Sequence, residues 1–413
     1  MKILLLPSYF LPEGVASPYI SWNRNQAFID AGWSIVVFTP LPSRGITSEV
    51  RNEYKKKRME AMFDGKMVVH RFSLMPEGKN SLIRAFRYFV QNLKQFGKAV
   101  FTKDGRSCDL MLIASTPPTQ GAMAAIVKLF TKKPFVYNLQ DVFPDSLVGT
   151  GMTYKGSLLW KFGRIVENFT YKHADKIIVI SEDFKRNIMA KGVPEEKIVV
   201  VYNWVDQNAV KNIGRKDNKL FDKYYLDRNK FYITYSGNIG LTQNMDLLLD
   251  VAKGLEDIEE IQFVLIGEGN YKEQVKEIII RNNIKNVTLL PFQPYEDISH
   301  VFSLGDVGII ISKPGVGENS VPSKTWSIMS ASRPVLANFD ENEIKTILSE
   351  NECGVFTKAG DKQAFTDAIL ELYRNRELCR KYGENGRKFV MENLTREIGT
   401  QKYIDVIKSV VKG

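Results

Sequence analysis

Short apolar runs alternate with amphipathic stretches along the whole of this 413-residue chain. In the first half the runs predict strands at residues 3–6, 34–38, 67–72, 110–114, 135–139, 176–180 and 197–202. In the second half they predict strands at residues 231–235, 262–266, 287–290, 307–311, 334–337 and 354–356. Apolar runs that alternate with helical periodicity are typical of parallel sheets covered by helices on both faces, so the pattern predicts the α/β class.

The pattern also predicts two domains. Residues 213–230, between the two series of strands, are polar and charged, and a chain of this length exceeds one ordinary core. We place the N-terminal domain at residues 1–205 and the C-terminal domain at residues 206–395. A last helix near residues 396–413 is expected to pack back on the first domain. Two doubly wound domains would face each other across a cleft lined by the carboxyl ends of their strands.

Three loops of the second half combine small residues with a position directly after a predicted strand. They are residues 237–240 (GNIG), residues 267–269 (GEG) and residues 312–323, which lead into a predicted helix near Lys324. Glycine turns and helix N-termini present N–H groups that attract anions, and a lysine adds positive charge. Because parallel strands end at one edge of a sheet, the loops predict one anion site. An ordinary strand–loop–helix connection is the alternative for residues 312–323.

Two loops of the first half are candidate ligand contacts. Residues 12–18 (PEGVASP) follow the first predicted strand and contain Gly14, where the missing side chain allows close backbone approach. Asp141 follows the predicted strand 135–139 and could orient a hydroxyl group, with turn formation as the alternative. Asp145 is interpreted as a structural turn residue.

Residues 80–103 form an amphipathic stretch without an acidic residue. Its apolar positions share one helical face: Leu82, Phe86, Phe89, Leu93, Phe96 and Val100. Its basic face contains Arg84, Arg87, Gln91, Lys94 and Lys98. This pattern is typical of an interfacial membrane helix, and a core-facing helix with a solvated basic side is the alternative. We expect one end to pack on the sheet and the other to touch lipid, with membrane contact through Phe86, Arg87, Phe89, Lys94, Phe96 and Lys98.

Charge and motifs narrow the function classes. Residues 1–200 contain 29 Lys and Arg against 17 Asp and Glu, whereas the remainder contains 28 against 30. This excess indicates an anionic partner for the first half, a membrane surface or nucleic acid, although no nucleic-acid recognition motif supports the second. The scattered Cys108, Cys353 and Cys379 fit a reducing compartment and no zinc site. Motifs of metalloproteases, serine hydrolases and P-loop ATPases are absent, and the histidines are interpreted as structural.

Nearly the whole chain resembles family 4 retaining glycosyltransferases with the two-domain GT-B fold. The pieces that carry the resemblance occur in the family's order: PEGVASP, LQDVFPD, HADKIIVISEDFKRNIMAKGVPEEKIVVVYNWVD, YSGNIG, VLIGEGNYKEQV, VPSKTWSIMSASRPVLA and ENGRKFV. Their order and spacing are more specific than any one of them. The chain looks closest to the bacterial surface-polysaccharide branch that acts on N-acetylated aminosugars, such as fucosaminyl transferases.

The resemblance implies a UDP-sugar donor bound by the second domain, with no metal or other cofactor. It implies donor-binding residues at Gly14, Gly237, Asn238, Gly240, Gly267, Gly269, Phe292, Asn319, Ser320, Val321 and Ser323. Lys324 would stabilise the leaving diphosphate, and Asp141 and Glu318 complete the catalytic candidates. The chain departs from common family members at Asn238 and Gln243, where relatives place Arg and Lys. It also departs at Asn319 and Ser327, which replace a pair of glutamates, and at Gln140, which replaces a histidine.

The implied reaction is transfer of a sugar to a polyprenyl-diphosphate-linked glycan during O-antigen or capsule synthesis. We expect a cytoplasmic enzyme, peripherally associated with the inner membrane, that binds no nucleic acid. A nucleotide-sugar epimerase on the same fold and a non-catalytic nucleotide-sugar-binding protein are the alternatives.

Overall fold

The computed structural model describes residues 1–13, 18–75, 81–149, 151–317 and 320–412. The chain divides into two compact units, each with its own sheet. Unit 1 contains Met1–Tyr202 together with Gly399–Gly413, and unit 2 contains Asn203–Ile398.

Unit 1 is built on an eight-stranded sheet of order β3-β4-β2-β1-β5-β6-β7-β8. Its strands are β1 (Lys2–Leu5), β2 (Ser34–Pro40), β3 (Met59–Met62), β4 (Met67–Phe72), β5 (Leu110–Ala114), β6 (Phe135–Leu139), β7 (Lys176–Val179) and β8 (Ile198–Val200). Its first helices are α1 (Pro18–Asp30), α2 (Ser48–Lys56), α3 (Ser81–Phe101), α4 (Lys103–Arg106), α5 (Gln120–Thr131), α6 (Asp145–Gly149), α7 (Leu158–His173) and α8 (Glu182–Ala190).

Strand β3 is the one element of this sheet that the hydrophobic pattern did not predict. It pairs antiparallel with β4 at the edge of the sheet, whereas all other pairs in unit 1 are parallel. Its four residues alternate between exposed and half-buried, because an edge strand is not covered on both faces.

Unit 2 is built on a six-stranded parallel sheet of order β11-β10-β9-β12-β13-β14. Its strands are β9 (Phe231–Ser236), β10 (Ile261–Ile266), β11 (Val287–Leu290), β12 (Val307–Ile311), β13 (Val335–Phe339) and β14 (Gly354–Lys358). Its helices are α9 (Leu220–Lys223), α10 (Met245–Gly254), α11 (Lys272–Arg281), α12 (Ile298–Phe302), α13 (Lys324–Ser330), α14 (Glu343–Glu350), α15 (Lys362–Arg374) and α16 (Arg376–Asn393). The final helix, α17 (Arg396–Lys412), ends in unit 1.

The apolar runs of the sequence are the buried centres of these sheets. Every residue of β6 and of β12 is buried, as expected for parallel strands covered by helices on both faces. Separate apolar clusters form the cores of the two units. On α17, the Tyr403 hydroxyl donates to Asn138 Oδ1 at 2.9 Å, which attaches this helix to the end of β6 in unit 1.

Candidate functional site

The strand order of unit 2 identifies the edge at which a ligand would bind. Counted from β9, the order is 3-2-1-4-5-6, and the direction of winding reverses between β9 and β12. In open α/β sheets, ligands bind outside the carboxyl ends of the strands at this reversal. The loops that follow β9 and β12 are residues 237–244 and 312–323, and they are joined where Lys313 N donates to Thr242 O at 2.9 Å.

The glycine turn after β9 differs from the predicted anion cradle. The N–H of Gly237 donates to Ile266 O at 2.9 Å and that of Ile239 to Glu268 O at 2.9 Å. The N–H of Gly240 donates to Gln243 Oε1 at 3.1 Å. These three donors are already satisfied within the protein, so they are not the free N–H groups that the predicted anion cradle requires. The hydrogen bonds instead fasten this turn to the loop after β10.

The glycines after β10 serve the same loop-to-loop contact. A Cβ atom at Gly267 would lie 1.9 Å from Gly237 O, and one at Gly269 would lie 2.1 Å from Ile239 O. Any side chain would therefore separate the two loops. The structure accounts for both glycines by packing within the protein, which is a different reason from the ligand approach expected from the sequence.

Lys324 places a cation at the reversal point. Its Nζ donates to Tyr235 Oη at 2.8 Å and lies 4.1 Å from the centre of the Tyr235 ring. A Cβ atom at Gly237 would lie 2.8 Å from Lys324 Nζ, so the ammonium group rests directly on the glycine turn. No carboxylate among the described residues forms an ion pair with Lys324.

Burial makes this lysine electrostatically unusual. Desolvation lowers the pKa of Lys324 to about 7, because the protein supplies a hydroxyl group and an aromatic face but no opposite charge. Burial also raises the pKa of Tyr235, so its hydroxyl stays protonated and donates to Asn238 O at 2.6 Å. A negatively charged ligand would complete this site by restoring the missing counter-charge.

Two residues beyond β13 hold the loop after β12. The Asp340 carboxylate accepts the N–H groups of Gly315 at 2.9 Å and Gly317 at 2.6 Å. The Asn342 amide donates to Gly317 O at 3.2 Å and to Ser320 O at 3.0 Å. The loop therefore has a fixed shape up to Gly317 and again from Ser320. Glu318 and Asn319 lie outside the described residues, as does Gly14.

The remaining donor candidates lie around the same edge. Ser320 donates to Gly317 O at 3.2 Å, and Ser323 precedes α13 without capping it through its side chain. Val321 and Ser323 are half-buried. Phe292 follows β11 and is 69% exposed. Its backbone N–H donates a hydrogen bond to the Glu268 carboxylate. The pKa of Glu268 is lowered mainly by a hydrogen bond from Lys272 and to a smaller extent by this bond from Phe292. The structure thus brings Phe292 to the 267–269 loop, as the sequence predicts.

In unit 1, Asp141 lies just beyond the carboxyl end of β6. Burial raises the pKa of its carboxyl group, and a hydrogen bond with Ser146 offsets part of this rise. Hydrogen bonds hold its neighbour Gln140: the backbone N–H donates to Ser115 Oγ at 3.0 Å, and the side-chain amide donates to Asn138 Oδ1 at 2.9 Å. A carboxyl group with a raised pKa in an ordered loop could exchange a proton with a substrate or hydrogen-bond to a substrate hydroxyl group.

The predicted membrane helix is oriented with its apolar face outward along its first half. The side chains of Phe86, Phe89 and Leu93 are 55%, 57% and 54% exposed. Phe96 instead packs against the core of unit 1, so it is not an exposed contact, whereas the expectation that one end packs on the sheet is confirmed. Lys94 is exposed and Lys98 half-buried over the Phe38 ring.

Arg87 contradicts the prediction that it contacts the membrane. Its side chain is 1% exposed, with Nε donating to Met75 O at 3.1 Å and an Nη group donating to Ser43 Oγ at 3.2 Å. Gln91 and Gln95, on the same side of α3, are 0% exposed. These three polar side chains of the helix therefore face the protein, whereas Arg84 and Lys94 of the predicted basic face are exposed.

Sequence reasoning missed Tyr235, Asp340 and Asn342. Tyr235 stands two residues before the glycine turn, and Asp340 and Asn342 follow a predicted strand at the same edge of the sheet, which was the available signal. Within the part of the chain that the structure describes, no three His, Cys, Asp or Glu side chains converge in a way that could hold a metal ion. None of the described helices combines the length and apolar character needed to cross a bilayer.

Both halves of the chain match known protein families. Residues 25–209 match the family described as Glycosyltransferase Family 4, and residues 216–389 match the family described as Glycosyl transferases group 1. The probable glycosyltransferase WbjE of Pseudomonas aeruginosa is 23% identical over 342 residues, which cover 82% of each chain. The putative colanic acid biosynthesis glycosyl transferase WcaI of Escherichia coli K12 is 23% identical over 280 residues, or 66% of this chain and 67% of WcaI.

Among solved structures, HepE of Anabaena in complex with UDP superposes with a TM-score of 0.74 at 17% identity. The match covers 99% of this chain and 100% of HepE. At this identity the likeness shows the fold alone. It confirms the predicted α/β class and the GT-B pair of Rossmann-like domains.

Proposed function

We propose that this chain, which is a glycosyltransferase with the GT-B fold acting in polysaccharide biosynthesis, transfers an N-acetylated aminosugar from a UDP-sugar to a polyprenyl-diphosphate-linked glycan. The observation that carries the donor half of the proposal is Lys324. It is a half-buried ammonium group without a carboxylate partner among the described residues, and it lies at the strand reversal of unit 2.

A nucleotide-sugar donor fits this position by charge. When the bond to the sugar breaks, negative charge develops on the leaving diphosphate. A lysine held in place beside the diphosphate and charged in the complex stabilises that charge more than it stabilises the donor. The proposal needs no resident metal, because Lys324 supplies the positive charge.

Uridine is the base that the comparisons favour. HepE was crystallised with UDP, and the family resemblance implies a UDP-linked donor. In our proposal the base lies near Gly267, Gly269 and Phe292, and the sugar lies beneath the loop after β12. Ser320, Val321 and Ser323 would contact the donor there, together with Glu318 and Asn319.

The acceptor half of the proposal rests on unit 1. Its excess of basic residues suits an anionic diphosphate linked to lipid, and the exposed phenylalanines of α3 suit the membrane that carries such an acceptor. Asp141 would orient the acceptor hydroxyl group. The leaving phosphate would take the proton of that hydroxyl, with retention of the anomeric configuration as the family resemblance implies.

The departures at Asn238 and Gln243 bear on the non-catalytic alternative. Gln243 Oε1 accepts the N–H of Gly240 and lies 3.4 Å from the Asn238 amide nitrogen. These residues hold the turn together, and Lys324 occupies the adjacent space. The lost cations at these two positions are therefore compatible with a working donor site that uses a different lysine.

The proposal is tested by a panel of nucleotide-sugars, assayed with and without lipid extract and with a metal chelator. A matching donor should raise the unfolding temperature in proportion to occupancy, and UDP should be released only when an acceptor is present. Isomerised donor without acceptor would instead indicate an epimerase. Binding without turnover in every extract would indicate a non-catalytic protein, and loss of activity with the chelator would contradict a metal-free site.

A further inference from the structure

Helix α3 turns its polar side toward the protein and its aromatic side away from it. Arg87, Gln91 and Gln95 are buried, whereas Ile83, Phe86, Phe89, Leu93 and Phe101 are between 48% and 67% exposed. A surface helix normally does the opposite, because burying apolar area is what stabilises its packing. Something outside the chain is therefore needed to cover this row.

The exposed apolar surface continues over two more helices. Exposed apolar side chains on α5 are Ile126, Leu129 and Phe130. Those on α7 are Leu158, Leu159, Phe162 and Ile165, and the loop before it adds Met152 and Tyr154. Within α5 and α7 these residues recur at intervals of three and four, so each helix presents one apolar stripe.

The three helices lie side by side on one face of the sheet. They connect β4 to β5, β5 to β6 and β6 to β7, and all three connections move in the same direction across the sheet. Right-handed crossovers that run in one direction place their helices on one face. The rings of Phe96 and Phe130 meet edge to face, with centres 5.4 Å apart, so the surfaces of α3 and α5 are continuous.

Exposed charge on these helices has one sign. Helices α3, α5 and α7 together contain eight Lys and Arg residues but a single acidic residue, Glu167. Glu167 is 6% exposed and receives a hydrogen bond from the Tyr171 hydroxyl at 2.7 Å. Arg84 and Lys161 are exposed, whereas the exposed Lys94 donates its ammonium group to Ser73 O at 2.8 Å. The surface is thus apolar and basic, without an exposed carboxylate.

We propose that the surface formed by α3, α5 and α7, here called the three-helix face, docks on an anionic lipid bilayer. The inference rests on the proposed function, in which α3 is the only helix that contacts the membrane. The three-helix face is a broader surface than that single helix. Contiguous apolar patches of this kind mark interaction sites. The absence of exposed acids on these helices selects the partner: negative headgroups complement the lysines, whereas a second copy of the same face would bring like charges together.

In this arrangement the phenylalanines and leucines enter the headgroup boundary, and Arg84 and Lys161 reach the anionic headgroups. The two contributions are separable by experiment. The apolar contribution scales with buried area, and the electrostatic one is screened by salt.

The test is co-sedimentation of the full chain with phosphatidylcholine vesicles, with and without phosphatidylglycerol. Three pair variants each remove one part of the face: Phe86→Ser with Phe89→Ser on α3, Ile126→Ser with Leu129→Ser on α5, and Leu158→Ser with Phe162→Ser on α7. The matched control is Tyr225→Ser with Ile280→Ser, two unit 2 positions that are 95% and 78% exposed. Thermal unfolding of each variant establishes that it is folded.

We expect the wild-type chain to bind phosphatidylglycerol vesicles, with weaker binding at high salt. Each of the three pair variants should lose about tenfold or more in vesicle affinity, and the control should bind as the wild type does. Wild-type binding by the α5 and α7 variants would overturn the three-helix face. If only the α3 variant lost affinity, the face would be wrong while the single membrane helix would stand.

Two further measurements keep this inference separate from the proposed function. Sedimentation without vesicles measures self-association, and dimers that the same variants abolish would overturn the lipid assignment. Turnover of the donor with a water-soluble acceptor analogue measures the chemistry, and all four pair variants should retain it. Absent turnover in the wild type would sink the proposed function but leave the vesicle result to decide the inference.

Discussion

Two lysines with little exposure, one in each unit, show how a structural cation differs from a ligand-binding one. Lys191 in unit 1 lies 2.7 Å from an Asp145 carboxylate oxygen and 2.9 Å from one of Glu167. Lys324 in unit 2 has a tyrosine hydroxyl as its partner and no ion pair with any described carboxylate. The first lysine is neutralised by its own chain, and the second is left for something else to neutralise.

The pKa shifts at the two sites differ in the same way. Burial by itself raises the pKa of Asp145, but the hydrogen bond and the charge of Lys191 more than offset this, so the pKa lies below its usual value. Asp145 thus has a structural role, through an ion pair at the start of α6 rather than through the predicted turn. For Lys324 desolvation is the cause of the shift, and it lowers the pKa to about 7. A partly buried charge without a counter-charge costs stability, and a site that retains one is a candidate for binding the opposite charge.

Removing the charge of Lys324 should have the largest effect. Lys324→Met keeps the apolar stem against Tyr235 but removes the cation, and turnover should fall about 10²–10³-fold, equivalent to about 3–4 kcal/mol of transition-state stabilisation. The free energy of unfolding should not fall, because the variant buries no charge. The matched control is Lys345→Met, which alters an exposed lysine of the same unit that pairs with Glu341. Equal turnover in both variants would contradict the assignment of Lys324.

The opposite pattern is expected for Lys191→Met. Two largely buried carboxylates would lose their shared cation, so the free energy of unfolding should fall by about 2–3 kcal/mol, less than for a fully isolated pair. Glu167 keeps its hydrogen bond from Tyr171, which limits the loss. Denaturant unfolding measures the stability. Turnover per folded molecule should stay unchanged, and a catalytic loss without destabilisation would invert the comparison.

The pH dependence follows from the same lysine. With a pKa of about 7 in the free protein against 10.5 for an ordinary lysine, Lys324 loses its proton as pH rises through neutrality. Donor affinity should therefore decrease above pH 7, by up to about tenfold per pH unit. Between pH 7 and pH 10.5 this lysine is protonated in the unfolded chain but neutral in the folded chain. The free energy of unfolding therefore rises with pH in this range, by up to about 1.4 kcal/mol per pH unit. Lys324→Met should lack both dependences, and identical pH profiles would contradict the shift.

The smallest effect is expected for Tyr235→Phe. The hydroxyl group holds Lys324 Nζ at 2.8 Å and is itself held by Asn238 O at 2.6 Å, so it positions the lysine. Its removal should cost about 1 kcal/mol, or about fivefold in kcat/KM. The pH midpoint of donor binding should also move, which a purely structural role would not cause. An unchanged midpoint together with unchanged kcat/KM would remove Tyr235 from the site.

The fold could largely be predicted from the sequence, because buried parallel strands appear in the sequence as continuous apolar runs. The run at residues 307–311 is β12, the helix predicted to begin near Lys324 is α13, and the run at residues 334–337 overlaps β13. The short edge strand β3 escaped detection, since its exposed residues carry no such signal. The position of Lys324 at the site edge followed from this order of elements.

The details that failed depend on neighbours that a local pattern cannot show. The glycine turn 237–240 was predicted to be an anion cradle, but two of its N–H groups donate to the carbonyl groups of residues 266 and 268, which lie at the end of β10 and in the loop after it. On α3 the spacing separated the two faces correctly yet did not say which one faces the protein. Arg87 is buried because Met75 and Ser43 offer it oxygen acceptors, and both lie in other loops of unit 1.

The most direct test of the central claim is proton uptake when the donor binds. Calorimetric titration of a nucleotide-sugar at a pH one unit above the Lys324 pKa, in buffers of different ionisation enthalpy, measures it. A lysine that is neutral in the free protein and charged beside the diphosphate predicts uptake of nearly one proton by the wild type and by Lys345→Met. Lys324→Met should take up none and bind more weakly. Wild-type affinity and proton uptake in Lys324→Met would contradict the claim that Lys324 binds the donor diphosphate.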